Sequence, residues 1–282
     1  MDNSLFKADI SLDGTKIYDE SLKPVSKPTA ELAGLVPRAV KAAFAPIEKW
    51  ILHREYSVEQ TRCLLNEKLK DVSPEKIVPP EPYIALPALE AISYCMDSDE
   101  LRNLYANLLA NSINVDNKEK VHPSFVEIIK QLSPLDALIL KHIASNGHYL
   151  ALCQLRRQEG ESISEDSTIV TINPGDNFFK SASSGVPIVR NITYLNFSGE
   201  TYEQFSAGID NLSRLGLIET DYAAYLAKEE HYEPFLYHKP LLDAVNAPPE
   251  KGENGFYVYA AIKGRARTTA LGDLFIEVCV QN

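Results

Sequence analysis

Five prolines within fourteen residues set the first limit on how this chain folds. Residues 73–87 read SPEKIVPPEPYIALP, with prolines at 74, 79, 80, 82 and 87. Proline fixes its own φ, lacks the backbone N–H and drives the preceding residue out of the helical region. The stretch therefore predicts an extended connector, followed by a helix near 89–96. Its upstream flank reads helical. From a cap at Thr29, Leu32, Leu35, Val36, Ala39, Val40 and Ala43 recur at three-to-four spacing in a helix kinked by Pro37 and Pro46. Ser57 and Gln60 have capping-box spacing for a second helix ending near Lys70.

Downstream, residues 97–114 read DSDELRNLYANLLANSIN. Asp97 with Glu100 predicts a capping box, and the acidic start suits the positive end of a helix dipole. Leu101, Leu104, Tyr105, Leu108, Leu109, Ser112 and Ile113 form one stripe. Asn103, Asn107 and Asn111 fall mostly opposite, which predicts a polar face toward solvent or toward a partner. A further cap is expected at Ser133, with Pro134 at the first helical position and Asp136 at the third.

From there the elements change character. SPLDALILKHIASNG reads as a helix and YLALCQLRRQ as a second one; QEGESISEDS is a polar loop, and TIVTI and GVPIVRNITYLNF are strand-like. TYEQFSAGIDNLSRLGLIE opens on a Thr201–Gln204 capping box and closes at Gly216. A Tyr-rich excursion follows, then the strand GFYVYAAIKGR and a closing helix TTALGDLFIEVCV. This order matches a winged helix. The expected fold is mainly α with a small β component: an arm over 1–28, a helical domain over 29–131, and a winged-helix-like domain over 132–282 with inserts near 159–200 and 221–255.

AELAGLV, the PALEAISYCMDSDELRNLYANLLANSIN block, HPSFVEIIKQLSPLDALIL and the terminal TALGDLFIEVC together resemble the bacterial Abi-alpha family, named for abortive infection of bacteriophage. The likeness covers about 28–145 well and the later part more loosely. It implies a bacterial cytoplasmic protein in defence against phage. It brings no catalytic residues to carry over.

Chemistry is hard to locate in the residues themselves. No G-x-S-x-G elbow, P-loop, G-x-G-x-x-G after a strand or H-E-x-x-H is present, so no catalytic residue and no cofactor is expected. His231 and His238 sit with Glu229, Glu230 and Glu233 in EEHYEPFLYHKP, but at no standard metal spacing, and a solvated loop is the better reading. The four cysteines, at 63, 95, 153 and 279, lie far apart among apolar neighbours and are expected to be buried free thiols.

Twenty-eight Lys plus Arg against thirty-nine Asp plus Glu give a net charge of −11, which works against broad phosphate attraction. Arg214 in the presumed recognition helix, and Lys263, Arg265 and Arg267 at alternate wing positions with Arg156 and Arg157 nearby, are the candidate nucleic-acid contacts. The start MDNSLFKADISLDG lacks a basic region and an apolar run, so no secretory signal is expected and the cytoplasm is the default. The apolar helix from Thr29 is read as core rather than membrane surface. The favoured reading is a non-enzymatic module that binds an unknown phage or host protein. Its contacts would be Asn103, Asn107 and Asn111, or Tyr225, Tyr232 and Tyr237 of the excursion, since exposed aromatics concentrate interface energy; the alternative is a winged-helix DNA or RNA binder.

Overall fold

The computed structural model describes residues 55–92, 94–95, 97–160, 185–195, 197, 199–248, 250–251 and 256–281. It divides into two compact units, with the boundary between Val126 and Glu127. The expected arm, the helix from Thr29 and the TIVTI run lie outside the described residues, as does most of the acidic loop.

In the first unit, α1 (Glu55–Lys68) is already helical at Glu55, so Ser57 is not its cap. The proline-rich connector forms one 3₁₀ turn, Pro74–Lys76, and is tied to the end of a later helix: Val78 N donates to Ile113 O at 2.8 Å and Val115 N to Lys76 O at 2.9 Å. Helix α2 (Pro82–Ile92) begins seven residues before the expected Leu89. Proline at a first helical position loses no bond, because that N–H has no partner within the helix. Pro87 inside the helix does lose one. The helix persists because Ile84, Ala85, Ala88, Leu89, Ala91 and Ile92 are all buried.

Helix α3 (Asp99–Ile113) is capped by Ser98 rather than Asp97, its side chain accepting from Leu101 N at 3.3 Å. It packs against both α1 and α2, and every residue from Leu104 to Ile113 is buried. The expected solvent-facing asparagine stripe is thereby corrected: Asn107 and Asn111 are 3% and 4% exposed. The Asn111 amide finds partners inside the unit. Asn111 Nδ2 donates to Asn107 O at 3.1 Å, and Asn117 Nδ2 donates to Asn111 Oδ1 at 2.8 Å.

The second unit begins within the short helix α4 (Ser124–Lys130). Helix α5 (Pro134–Ser145) has the expected capping box, Asp136 N donating to Ser133 Oγ at 3.1 Å and Ser133 N to Asp136 Oδ2 at 2.7 Å. The run YLALCQLRRQ is a strand, not a helix: β1 spans Tyr149–Gly160. It pairs with β2 (Val186–Ile192) on one side and with β5 (Phe256–Thr268) on the other. Between β2 and β5 come α6 (Tyr202–Arg214), β3 (Ile218–Asp221), the 3₁₀ turns Glu229–His231 and Glu233–Tyr237, α7 (Lys239–Val245) and β4 (Glu250–Lys251). The unit is α+β, with an antiparallel sheet of order β2-β1-β5-β3 and β4 also on β5. Gly216, at φ 73°, ends α6 as expected. The chain closes with α8 (Ala270–Phe275) and a π-helical turn, Ile276–Val280.

Alternation along β1 and β5 divides the sheet between two cores. Leu150 and Leu152, opposite Ala266 and Gly264, face the side that carries the helices; α5 packs on β1 and on the π-helical turn. Cys153, Leu155 and Ala261 face the other way and form a second core with Tyr232, Phe235, Leu241 and Val245. The expected insert near 221–255 is therefore a folded cover over one face of the sheet.

Candidate functional site

A left-handed asparagine shapes the site. Asn191, at φ 56°, places an extra residue in β2, so that Leu155 pairs with Val189 while Cys153 pairs with Ile192. The bulge is locked from both sides: Asn191 N donates to the Tyr222 hydroxyl at 2.7 Å, and its side-chain amide donates to Asp210 Oδ1 on α6 at 2.5 Å. The Tyr222 ring reaches it across Gly264, where a Cβ would lie 2.6 Å from Tyr222 Cε1, which is why a glycine interrupts KGRAR. Burial pushes the Tyr222 phenol pKa up, so it serves as a neutral hydrogen-bonding group.

Beyond Ile192 the described β1–β2 pairing stops, and a cleft of about 390 Å³ opens. One wall is the last turn of α5, with His142, Ser145 and Asn146; the floor is residues 149–151 of β1. The far wall is Thr193, Tyr194 and Leu195, and the insert closes the cleft with Leu226, His231, Pro234 and Phe235. Gly147 and His148, both at φ 70°, make the tight turn from α5 into β1. Thr268 N donates to His148 O at 3.2 Å. By antiparallel alternation, the N–H and C=O groups of Tyr149 and Ala151 then point away from β5 and into the cleft. The Thr193 hydroxyl donates to Ala151 O at 3.4 Å.

The lining contains no carboxylate, lysine or arginine. Burial lowers the His142 pKa, so this imidazole is neutral at pH 7. Its ring lies edge-on to Phe197 at 6.3 Å. Ser145 Oγ donates back to Lys141 O at 3.0 Å, which ties this hydroxyl to its own helix. Among the described residues no group of three His, Cys, Asp or Glu could hold a metal ion. The arrangement offers backbone donors and acceptors, aromatic edges and an apolar seat, the properties of a binding cleft.

The expected site residues are distributed unevenly. Tyr225 and Tyr237 are 55% and 70% exposed, whereas Tyr232 is 1% exposed and belongs to the core. Its hydroxyl donates to Gly264 O at 2.8 Å and accepts from Leu226 N at 2.9 Å, so its expected role as a contact is corrected to that of an anchor. Asn103, at the exposed start of α3, donates to Asp99 O at 2.8 Å. Lys263, Arg265 and Arg267 do share one strand face, and each meets a carboxylate. Lys263 pairs with Glu229 and lies 5.1 Å from the Tyr232 ring centroid. Arg265 lies 3.9 Å from Asp221, and Arg267 pairs with Glu219, both directly across from β3. Arg214 donates to Asn211 Oδ1 at 2.7 Å and to Gln131 Oε1 at 3.1 Å. Arg156 donates to Gly185 O at 2.6 Å, and the Arg157 guanidinium stacks 4.4 Å over Tyr257.

Sequence reasoning missed Tyr149, Tyr194 and the open backbone of β1; the continuous apolar run YLALCQL was the available signal. The cysteines also divide: Cys153 and Cys279 are buried with raised thiol pKa values, Cys95 is half-buried, and Cys63 is exposed, against expectation. No helix among the described residues is long and apolar enough to cross a membrane.

A family model described as abortive infection alpha matches residues 53–279. The match takes in the whole second unit up to the π-helical turn, beyond the reach of the best-matching sequence blocks. No curated protein and no solved structure matches.

Proposed function

The chain belongs to the abortive infection alpha family, and from that premise we propose that it is a non-enzymatic, cytoplasmic component of bacterial defence against phage that acts by binding a protein. The observation that carries this reading is the aromatic surface of the insert. Tyr225 and Tyr237 remain exposed on a segment that Tyr232, Phe235 and Leu241 fix rigidly to the sheet. Rigid exposed tyrosines give contact area at low entropic cost, which suits an interface. Affinity purification of the tagged full chain from phage-infected and uninfected cells tests it. A protein retained by the wild type and lost with Tyr225→Ala/Tyr237→Ala is the expected result. Unaltered binding by the double variant counts against it.

The second reading is a winged-helix nucleic-acid binder. It is supported by the order of α6, Gly216, β3 and the antiparallel β3–β5 pair. The carboxylates beside Lys263, Arg265 and Arg267 weigh against it, because they offset the charges a phosphate would meet. Binding to duplex or single-stranded oligonucleotides that falls steeply with added salt would favour it over the first reading.

A further inference from the structure

The cleft beyond Ile192 lies apart from the exposed tyrosines of the reading above, since neither Tyr225 nor Tyr237 lines it. Its open strand edge is short. Described pairing with β2 begins at Cys153, and Gly147 and His148 turn the chain at the other end, so Tyr149 and Ala151 alone present backbone groups to the cleft. Two residues of strand span about 7 Å, too little for an added strand of about five residues but close to the width of a heteroaromatic ring. Along that edge the Tyr149 carbonyl, the Ala151 N–H and the Ala151 carbonyl alternate acceptor and donor, the last in its long bond with Thr193. A ring meeting the edge in the plane of the sheet lies between the layers on either side. His142 and Ser145 of α5 stand over one face, Leu226 and Phe235 of the insert over the other. Aromatic and apolar side chains so placed hold a base by its faces.

Charge and size narrow the ligand further. The lining has no Lys, Arg, Asp or Glu, and on the neighbouring insert Glu229 pairs with Lys263 and Glu230 with Lys228. A phosphate would therefore meet no cation in the cleft. The neutral His142 imidazole offers one more donor and one more acceptor. A cavity of about 150 Å³ holds benzene, so the cleft of about 390 Å³ has room for a base with its sugar.

We infer that the cleft binds an uncharged nucleobase, free or as its nucleoside, whose hydrogen-bonding edge pairs with the backbone of Tyr149 and Ala151 and whose faces lie between His142 and Phe235. A base carries a donor next to an acceptor on its Watson–Crick edge, the complement of that backbone pattern. The site does not depend on a protein partner, so it and the protein-binding reading can each fail alone.

The test is saturation-transfer NMR on the full chain with adenosine, guanosine, cytidine and uridine as probes. The expected result is transfer to the base protons of at least one of them. Ser145 is exposed at the cleft wall, so Ser145→Trp should fold normally yet crowd one face of the base and weaken that nucleoside about tenfold or more, the equivalent of one lost stacking contact. Methylation of the nucleoside on its Watson–Crick edge should weaken it to a similar degree, and it requires no change to the protein. Three results would overturn the inference: no transfer to any of the four nucleosides, equal binding by Ser145→Trp, or indifference to the methyl group. Tighter binding of the 5′-monophosphate or of a single-stranded oligonucleotide than of the nucleoside would also overturn it, because a phosphate would then be recognised.

Discussion

Tyr225, Tyr232 and Tyr237 look alike in the sequence, because the stretch around them has neither a helical nor a strand period to say which ring turns inward. Their surroundings separate them. The Tyr232 hydroxyl joins Gly264 of β5 to Leu226 of the insert through bonds of 2.8 and 2.9 Å, and its ring stacks 6.1 Å from Phe235. Tyr232→Phe keeps the ring and leaves those two backbone groups without the hydroxyl. Gly264 O keeps its ladder partner opposite Leu152, so Leu226 N alone loses its acceptor. One orphaned group costs about 1–3 kcal/mol, so a loss of about 1 kcal/mol in chemical denaturation is expected. Tyr237→Ala, at a 70% exposed position, should change stability by less than about 0.5 kcal/mol. Equal effects of the two substitutions would contradict the division between anchor and surface. Asn107 and Asn111 teach the same lesson in reverse. Asparagine usually avoids a helix core, yet here the Asn111 amide bonds to Asn107 O and to Asn117 within the unit, an arrangement that the helical period of the sequence does not encode.

At the scale of the element, three caps were legible, two others, Ser57 and Asp97, were not where expected, and periods were not always legible either. Ser133 with Asp136, Thr201 with Gln204, and Gly216 act within three or four residues of chain, and each stands where the sequence placed it. Strand β1 was misread because YLALCQL is apolar at nearly every position. A strand buried on both faces loses the alternation that marks a half-buried one, and only the sheet with its two cores distinguishes it from a buried helix. Helix α2 was misplaced for the opposite reason: a local rule, that proline breaks helices, was outweighed by burial of six apolar residues. This makes Pro87 a standing cost, since its missing N–H removes the helical bond to Tyr83 O one turn back. Pro87→Ala should restore that bond and stabilise the first unit by about 1–2 kcal/mol, after allowing for the extra freedom it gives the unfolded chain. An unchanged or lower denaturation midpoint would show that the turn at Pro87 is held in a form alanine does not improve.

Across the whole described chain, the sequence conveyed the α+β class, but not the site, which assembles from α5, β1, the end of β2 and residues 226–235, far along the chain from β1. Contacts at such separation leave no local trace. One property of the second unit follows from this assembly. His142 lines the cleft and His238 packs edge-on against Tyr202 at 5.6 Å, and burial lowers the pKa of both from the ordinary 6.5, with Glu203 partly offsetting the shift at His238. A histidine with a depressed folded pKa binds its proton more readily when unfolded. Its contribution to stability is therefore complete above pH 6.5 and declines as the pH falls through 6.5 toward the folded value. The slope in that window is at most about 1.4 kcal/mol per pH unit for each imidazole. Asp273, whose carboxyl is held below its ordinary value first by the Thr268 hydroxyl and then by His148, contributes its own loss only at lower pH, below about 3.8. Denaturation followed by circular dichroism between pH 7.5 and 5 should thus show falling stability, with a shallower slope for His142→Gln. If the wild-type and His142→Gln curves run parallel across that window, the His142 imidazole is not held neutral by burial, and the neutral wall it is taken to give the cleft would have to be abandoned.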